Sequence, residues 1–498
     1  MIRTGRARVT VVGMKRVAWL LLALAAAPLG AAAMAIETTA ITHVAVVGPA
    51  GIEPDLSILV VGDRIERVGP ATVAPPAGAR VVDGRGAFVI AGLWDMHVHL
   101  ASYPAGLPLF VAYGVTGARD MGSASAAETQ EMLAWRKEIA AGARVGPRLV
   151  LAGPTLDGRR AYRSDGRVYA TTADEGRAAV ATVRERGGDF VKVHDWVGSE
   201  AYAAIVAAAR AGGLDVVGHT PAAIPAREAV AAGQRSIEHL GSSLGGFLLD
   251  ASSREPELRR ELLQRMDEAR AAGSEASFWE WVVGPVHQQA LLDAWDPARA
   301  GELVSLLRER GTWHCPTLTV LSPAARSRSE KERRILYASA HGACGKLAPA
   351  AKSTTAAALF ARQLAIVGDL ERGGVGLLAG TDTMPPSAEA VEEFGTCDVP
   401  LAGLSVHEEL EWLVAAGLTP SEALAAASSG PAKFFGEEGA GGSIAVGKRA
   451  DLVLLEGNPL DDIRNTRRIR AVVAAGRLYD RAALDALLQQ GATDAAAR

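Results

Sequence analysis

The middle of the chain alternates short apolar runs with alanine-rich stretches of helical periodicity. This alternation is typical of βα units that build a parallel sheet. Eight apolar runs are candidate strands: "FVIAGLWDMHVH", "GVTGARDMG", "PRLVLAG", "DFVKVHD", "LDVVGHT", "RSIEHL", "TWHCPTLTV" and "VGLLAGTD". Eight parallel strands are what a (β/α)8 barrel needs. The pattern therefore predicts an α/β fold with a TIM-type barrel over residues 87–430.

The two ends of the chain have a different pattern. In the first of them, short apolar alternations are separated by turn pairs such as Gly62-Asp63, as expected for β-hairpins. A similar pattern returns near the C-terminus in "GGSIAVGKRADLVLLEGNPL" and "IRAVVAAGRLYD". These segments predict one small β-sandwich built from residues 36–86 and 431–498.

The segment between "SIEHL" and "TWHCPTLTV", residues 241–311, is much longer than one crossover helix. It is highly charged and has helical periodicity, as in "REPELRRELLQRMDEARAAG". We interpret it as an inserted helical subdomain that caps the barrel mouth. A simple surface insertion is the alternative.

The first 35 residues have the order of a targeting signal. Five basic residues precede the apolar run "VAWLLLALAAAPLG", and small residues follow it up to Ala35. This order predicts a secretory signal peptide cleaved before Ile36, and hence a periplasmic or secreted protein. The apolar run is too short for a membrane span, and no cysteine follows it for a stable lipid anchor. Translation starting at Met14 is an alternative, because "MKRVAWLLL" is a compact signal by itself.

The net charge limits the kinds of binding partner, and the cysteines limit the possible disulfides. The formal net charge is −4, and removal of the five basic residues of the signal lowers it to −9. An acidic mature protein has no electrostatic reason to bind nucleic acid or anionic lipid. The three cysteines, Cys315, Cys344 and Cys397, are far apart and lack C-x-x-C spacing, so one disulfide is permitted but none is required.

Metal-competent side chains recur where the candidate strands end. His97 and His99 in "DMHVH" are two residues apart and therefore project to one face of a strand. Either they bind a metal ion or they are two hydrogen-bonded histidines at a strand end. Similar residues end later strands, namely Lys192, His194, His219, His239 and Asp382. Because active sites of such barrels lie at the C-terminal ends of the strands, this pattern predicts a metal site there.

The motifs "DMHVH", "FVKVH", "VVGHT", "SIEHL" and "LLAGTD" resemble the successive motifs of the metal-dependent amidohydrolase superfamily. The C-terminal "GGSIAVGKRADLVLLEGNPLDDI" resembles the closing sandwich segment of the same superfamily. The resemblance extends from Ile36 to Asp480. It is strongest to the imidazolonepropionase-like and prolidase-like branch of secreted enzymes. The insertion before the seventh strand lacks a counterpart in the simplest members.

The resemblance implies two divalent metal ions, with zinc favoured and manganese, iron or cobalt as alternatives. The implied ligands are His97, His99 and Asp382 for the more buried ion, and His219 and His239 for the more exposed ion. Lys192 would bridge both ions as a carbamate formed with carbon dioxide, since a protonated amine has no acceptor. The alternative for Lys192 is an ordinary salt-bridged or snorkelling lysine.

The chemistry that this implies is hydrolysis of a C–N bond in an amide, a dipeptide or an N-acyl amino acid. Two such ions would share one water and lower its pKa, so that a metal-bridging hydroxide would attack a polarised carbonyl. Asp382 would accept the proton of that water and return it to the leaving nitrogen.

Further candidates surround this predicted centre. His194 either hydrogen-bonds the substrate carbonyl or is a core histidine, and Tyr162 and Tyr169 are candidate donors to the oxyanion. The remaining residues fall into three groups: Arg159, Arg160 and Arg163 as clamps for a substrate carboxylate, His314 and Cys315 as pocket lining, and His43, His287, His341 and His407 as ordinary residues.

Two alternative functions stay open on the sequence. One is a mononuclear deaminase or a cyclic-amide (imidazolone or lactam) hydrolase on the same barrel, which would need no lysine on the fourth strand. The other is a non-catalytic secreted binding protein that has kept the fold. The expected partner is a small molecule or dipeptide, and self-association into a homo-oligomer is left open.

Overall fold

The computed structural model describes residues 37–122, 124–161, 166–241, 244–322, 353–385 and 399–496, with side chains up to residue 491. Several predicted features lie outside the described residues: the signal peptide over 1–35, Tyr162, Arg163, His341, Cys344 and Cys397. Within the described ranges, no helix combines the length and the apolar character needed to cross a membrane.

The described residues form 17 β-strands. In chain order they are β1 (Thr38–Gly48), β2 (Gly51–Val61), β3 (Arg64–Pro70), β4 (Arg80–Asp83), β5 (Phe88–Ala91), β6 (Leu93–Val98), β7 (Val115–Asp120), β8 (Arg148–Leu151), β9 (Thr155–Asp157), β10 (Arg167–Tyr169), β11 (Val191–Val193), β12 (Val216–Gly218), β13 (Ser236–Glu238), β14 (Trp313–Cys315), β15 (Leu452–Leu455), β16 (Ile469–Ala474) and β17 (Arg477–Asp480).

Between and after these strands, the described ranges contain 16 α-helices. They are α1 (Leu107–Ala112), α2 (Ala126–Ala140), α3 (Ala173–Glu185), α4 (Ser199–Ala211), α5 (Ala226–Ala232), α6 (Gly246–Asp250), α7 (Glu255–Ala272), α8 (Ala276–Val282), α9 (Pro285–Asp293), α10 (Pro297–Arg310), α11 (Leu318–Leu321), α12 (Thr354–Arg372), α13 (Leu404–Ala415), α14 (Pro420–Ala426), α15 (Ser429–Phe434) and α16 (Arg481–Ala496). The helical periodicity of residues 241–311 is confirmed by α6 to α10.

The two chain ends build one mixed sheet. Its strand order is β17-β16-β15-β5-β1-β2-β3, and β4 pairs with β1. Alternate side chains from both ends of the chain, among them Ile41, Ile58, Val89, Leu452 and Val473, are buried in one apolar cluster. The N-terminal and C-terminal segments therefore share a sheet and a core, whereas the arrangement of that sheet as a sandwich stays a prediction.

The middle of the chain forms two sheets whose strands are all parallel, which confirms the α/β class. The first contains β6, β7 and β8, and the second has the order β10-β9-β11-β12-β13-β14. The short strands β9 and β10 were not predicted.

The eighth candidate strand, "VGLLAGTD", forms isolated bridges rather than a continuous ladder. It bridges in parallel from Leu377 to His314 of β14, and Thr383, the residue after it, bridges to Val98 of β6. The N–H of Leu378 also donates to the carbonyl of His314 at 2.8 Å, and the N–H of Met96 donates to the carbonyl of Ala379 at 2.8 Å. This segment therefore lies between β14 and β6 and brings Asp382 to the end of β6.

The prediction of one strand over "FVIAGLWDMHVH" is wrong. The structure divides it at Gly92 into β5, which belongs to the mixed sheet, and β6, which begins the parallel strands. A Cβ on Gly92 would lie 2.2 Å from Oγ1 of Thr116, so only glycine fits where the chain leaves one sheet for the other. The apolar run continues across this point, and periodicity alone therefore misses the break.

Candidate metal centre

The predicted strand-end histidines lie in contact with one another. The ring centroids are 5.5 Å apart for His99 and His97, 4.4 Å for His97 and His239, 4.9 Å for His239 and His219, and 4.2 Å for His219 and His194. Parallel strands bring these residues together because the carboxyl ends of β6, β11, β12 and β13 meet at one face. Five histidines separated by up to 142 positions thus form one row.

Asp382 faces two of these rings. Its Oδ1 lies 3.1 Å from Nε2 of His99 and 3.3 Å from Nε2 of His97. The residue has a φ of +56°, an uncommon backbone conformation for a residue other than glycine, and its N–H donates to the carbonyl of His97 at 2.8 Å. Burial alone would raise the pKa of Asp382, but the adjacent rings of His239 and His99 hold it well below its usual value.

The Nδ1 atom of four histidines has a hydrogen-bond partner outside the row. The pairs are His97 with Glu238 Oε2 at 2.9 Å, His99 with the Gly122 carbonyl at 2.9 Å, His219 with Asp195 Oδ1 at 2.7 Å, and His239 with Thr317 Oγ1 at 2.6 Å. A carboxylate or a carbonyl only accepts, so for the first three rings Nδ1 carries the proton. Their Nε2 atoms are then lone-pair donors of the kind that bind metal ions.

The environment of the His97 Nε2 atom indicates whether these residues fit a metal ion. It is fully buried and has no hydrogen-bond partner among the described residues. Burial also lowers the pKa of His97 well below 6.5, which favours the neutral ring. A lone pair that faces the Asp382 carboxylate at 3.3 Å is unfavourable unless a cation lies between them. The donor set therefore fits a divalent ion at this point.

Lys192 lies on the same inward face. It is only 1% exposed, and its strand β11 pairs with β12 so that Lys192 is opposite Val217. A Cβ on Gly218 would lie 2.8 Å from Cδ of Lys192, so the glycine makes room for the long side chain. Burial lowers the pKa of Lys192 to about 8, although the negative charges of Glu238 and Asp382 oppose this shift.

Among the described residues, potential ligand atoms form three compact groups, and two of these contain at least two histidines of the row. In the first, atoms of His97, His239 and Asp382 all lie within 4.8 Å of one another. In the second, the same limit holds for His194, Asp195 and His219. Contacts of the His239 ring with both His97 and His219 join the two groups.

Residues 88–479 match the sequence model of the amidohydrolase family. This chain belongs to the amidohydrolase family. It is therefore a metal-dependent hydrolase that acts on C–N bonds, and the family resemblance of the motifs is confirmed.

Solved structures with the same fold include several hydrolases. A proposed prolidase from Bifidobacterium longum is 25% identical, with a TM-score of 0.62 over 92% of this chain and 99% of that one. Bottromycin amidohydrolase is 23% identical, with a TM-score of 0.65 over 92% and 90% of the two chains. A Xaa-Pro dipeptidase with bound methionine is 20% identical, with a TM-score of 0.61 over 89% and 100%. No curated protein matches the sequence.

Sequence reasoning missed a buried ion pair below the centre of this amidohydrolase. Glu238, which holds His97, also accepts hydrogen bonds from Nη2 of Arg119 at 2.9 and 3.0 Å and from Oγ of Ser236 at 2.6 Å. Arg119 Nε donates to the carbonyl of Met96 at 2.6 Å, and the side chains of Arg119 and Glu238 are fully buried. A charged residue inside each of two apolar strands, "GARD" and "SIEH", is the signal that could have indicated this pair.

Two further buried carboxylates fix the backbone around the histidines. Asp95 accepts from Oγ1 of Thr381 at 2.7 Å, and burial raises the pKa of Asp95 to about 8. Asp120 accepts from the N–H groups of Leu100 at 2.7 Å and Gly122 at 3.0 Å, and burial raises the pKa of Asp120 to about 6. These contacts hold both ends of the "DMHVH" segment in place.

Of the other predicted residues that the structure describes, only His194 lies in the row of histidines of this amidohydrolase. His194 lies in the row of rings, with Nδ1 3.6 Å from Oδ2 of Asp157, and burial lowers its pKa well below 6.5. Tyr169 is half-buried and ends β10 instead of lying in a loop as expected. Arg160 pairs with Glu275, an internal contact in place of the expected substrate clamp. Arg159 is exposed.

The seventh candidate strand places two residues on opposite faces. Cys315 lies within 4.8 Å of ligand atoms of His97 and Glu238, and burial raises the pKa of its thiol well above 9. His314 is fully buried against Phe247, with ring centroids 6.4 Å apart. His407, interpreted as ordinary, has both ring nitrogens in hydrogen bonds at 2.9 Å.

Proposed function

We propose that this amidohydrolase is a binuclear enzyme that hydrolyses small amides, either dipeptides or N-acyl amino acids. The observation that carries the proposal is the row of histidine rings, flanked by Asp382 and Lys192. One tetrahedral ion takes four ligands, and the four predicted histidine ligands, Asp382 and Lys192 together offer more donors than that. Two adjacent ions would use the whole set.

The proposed assignment gives His97, His99 and Asp382 to one ion and His219 and His239 to the other. Lys192, modified by carbon dioxide to a carbamate, would offer one oxygen to each. When bound, the two divalent ions, with zinc favoured by these nitrogen and oxygen donors, supply Lewis acidity for the substrate carbonyl and for water.

The side chains of the protein would then bind the substrate and move the proton. Asp382 uses Oδ2 to accept the proton of the attacking water, and it returns that proton to the leaving nitrogen. His194, in the same row, donates a hydrogen bond to the substrate carbonyl. Tyr162 and Tyr169, from the chain after β9, are the proposed donors to the developing oxyanion.

A closed (β/α)8 barrel is part of this proposal. Its support is the eighth segment, whose backbone bonds to both β14 and β6, and the bond from the N–H of Asp189, just before β11, to the carbonyl of Leu151 in β8 at 2.7 Å. We also propose that residues 1–35 are a signal peptide, which N-terminal sequencing of the exported protein would test by a first residue of Ile36.

The experiment that tests the function combines metal content with a substrate screen. The protein is loaded with zinc in the presence and absence of bicarbonate, metal per chain is measured by mass spectrometry, and amine release is followed with dipeptides, N-acyl amino acids and lactams. Two zinc ions per chain and release of an amino acid from a dipeptide or N-acyl substrate support the proposal. One ion with ammonia release or lactam opening favours the mononuclear alternative, and absence of stoichiometric metal favours the binding protein.

A further inference from the structure

The helices between β13 and β14 contact the face of the metal centre through a buried carboxylate. Residues 246–310 of the insertion contain α6 to α10. Glu275 at the start of α8 is 6% exposed and accepts a hydrogen bond from Nε of Arg160 at 3.1 Å and a second from its Nη2. The N–H of Ala161 at 3.1 Å and the indole N–H of Trp279 at 3.3 Å complete its partners. A bidentate guanidinium fixes both distance and orientation.

Arg160 extends this contact toward the row of histidines. Its Nη1 lies 3.5 Å from Oδ2 of Asp157, an oxygen that also accepts a hydrogen bond from Nη1 of Arg167 at 2.7 Å and lies 3.6 Å from Nδ1 of His194. The other carboxylate oxygen, Oδ1, accepts the N–H groups of Gly158 at 2.9 Å and Trp196 at 3.0 Å. Charged side chains thus lead from the insertion to the segment that carries His194.

Trp196 forms a second contact between the same parts. The guanidinium carbons of Arg160 and of Arg270 in α7 lie 5.4 and 5.3 Å from the centroid of the Trp196 ring. Phe278 of α8 packs edge-on against it with centroids 5.5 Å apart. A Cβ on Gly158 would lie 1.7 Å from the carbonyl oxygen of Trp196, so the two loop backbones are in direct contact.

We propose that Glu275 is a positioning residue for the hydrolytic reaction. It anchors Arg160 to the insertion and, through Asp157 and Trp196, holds His194 beside His219. The inference rests on the proposed function for its kinetic consequences, while the positional claim stands on the contacts alone. In this role the insertion influences catalysis through the position of His194, without needing to contact the substrate.

A merely structural role would give a different result. If the pair only stabilised the insertion, its loss would lower the melting temperature and leave the turnover of the folded enzyme unchanged. If the pair positions His194, its loss should lower kcat at unchanged metal content and change KM less. The reason is that a misplaced His194 no longer stabilises the substrate carbonyl fully in the transition state.

The test uses the full-length zinc-loaded protein and the isosteric variant Glu275→Gln. We expect kcat to fall about tenfold and amide hydrogen exchange to accelerate in peptides that cover residues 157–161 and 194–198. Glu275→Asp, which keeps the charge, should recover part of kcat. The matched control Glu257→Gln removes an exposed carboxylate of α7 that pairs with Arg254, and it should change neither readout by more than about twofold.

A double variant decides whether Glu275 acts through His194. In a His194→Asn background, Glu275→Gln should add little further loss of kcat. If instead the loss in the double variant equals the product of the two single-variant losses, the residues act independently and the inference is overturned. If Glu275→Gln does not fold, Arg160→Lys replaces it in the same scheme. If the unmodified enzyme hydrolyses no amide, the proposed function fails, but hydrogen exchange still decides the positional claim: unchanged exchange at residues 194–198 in Glu275→Gln overturns it.

Discussion

Nδ1 of His97 lies 2.9 Å from Oε2 of Glu238, and both side chains are completely buried. The carboxylate fixes the proton on Nδ1 and turns Nε2 toward Asp382, so it prepares the ring for a metal ion. Glu238 in turn depends on Arg119, which neutralises it inside the sheet. The orientation of His97 in the metal centre therefore depends on Glu238 and Arg119, which are buried beneath it.

Replacing Glu238 by Gln should weaken metal binding. The amide loses the charge that holds His97, and such partners typically contribute about 10–100-fold in metal affinity. Competition with a chelator of known affinity measures the change. Glu456→Gln, which removes an exposed carboxylate 3.7 Å from Arg468, serves as control and should leave the affinity unchanged. Equal affinity of the two variants would contradict a role for Glu238.

Replacing Arg119 by Met should destabilise the fold. The substitution keeps the apolar contacts near Phe190 and Phe434 but leaves the buried Glu238 without its guanidinium partner. Removal of one member of a buried pair costs about 3–5 kcal/mol in the free energy of unfolding. Urea denaturation measures this, with Arg372→Met at an exposed pair as the control, for which we expect a change within about 0.5 kcal/mol.

On the proposed binuclear mechanism, replacing Lys192 by Ala should reduce the metal content from two ions per chain to one and abolish amide hydrolysis. The bridging group between the two sets of ligands would be lost, while His97, His99 and Asp382 remain. Mass spectrometry of the intact wild-type chain in bicarbonate should also show the added mass of carbon dioxide, absent from the variant. Lys137→Ala on the exposed face of α2 is the control. Full turnover by Lys192→Ala would exclude the bridging role.

Acid should destabilise the insertion through His287. This ring packs against Trp281 in a tilted arrangement with centroids 4.0 Å apart. His287 is 3% exposed, and its Nε2 has no hydrogen-bond partner among the described residues. Burial lowers the pKa of His287 from 6.5 to about 4, so the unfolded chain takes up a proton first as the pH falls. The stability that the neutral ring contributes is complete above about pH 6.5 and is lost toward pH 4.

The size of this effect follows from the shift. Each unit of pKa corresponds to about 1.4 kcal/mol, so the free energy of unfolding should fall by about 3 kcal/mol more in the wild type than in His287→Phe between pH 7 and pH 4. Urea denaturation at a series of pH values measures the difference. His43→Gln, at a partly exposed pair with Asp55, should follow the wild type. Parallel curves for wild type and His287→Phe would contradict the assignment.

The sequence by itself determined the α/β class, the helical nature of the insertion, and the histidines and the aspartate that meet at the centre. Its period-two and period-3.6 patterns are local, so they show which side chains share a face and where a strand ends. His97, His219 and Asp382 could be selected in this way because each ends an apolar run.

Only the tertiary structure decided which distant residues lie opposite one another. Glu238 pairs with His97 across 141 positions, and Glu275 pairs with Arg160 across 115. The break at Gly92 and the bridges from Leu377 to His314 and from Thr383 to Val98 depend likewise on neighbouring strands. The physical reason is that the register of parallel strands and the packing of an insertion are set by contacts between segments, and no local pattern records them.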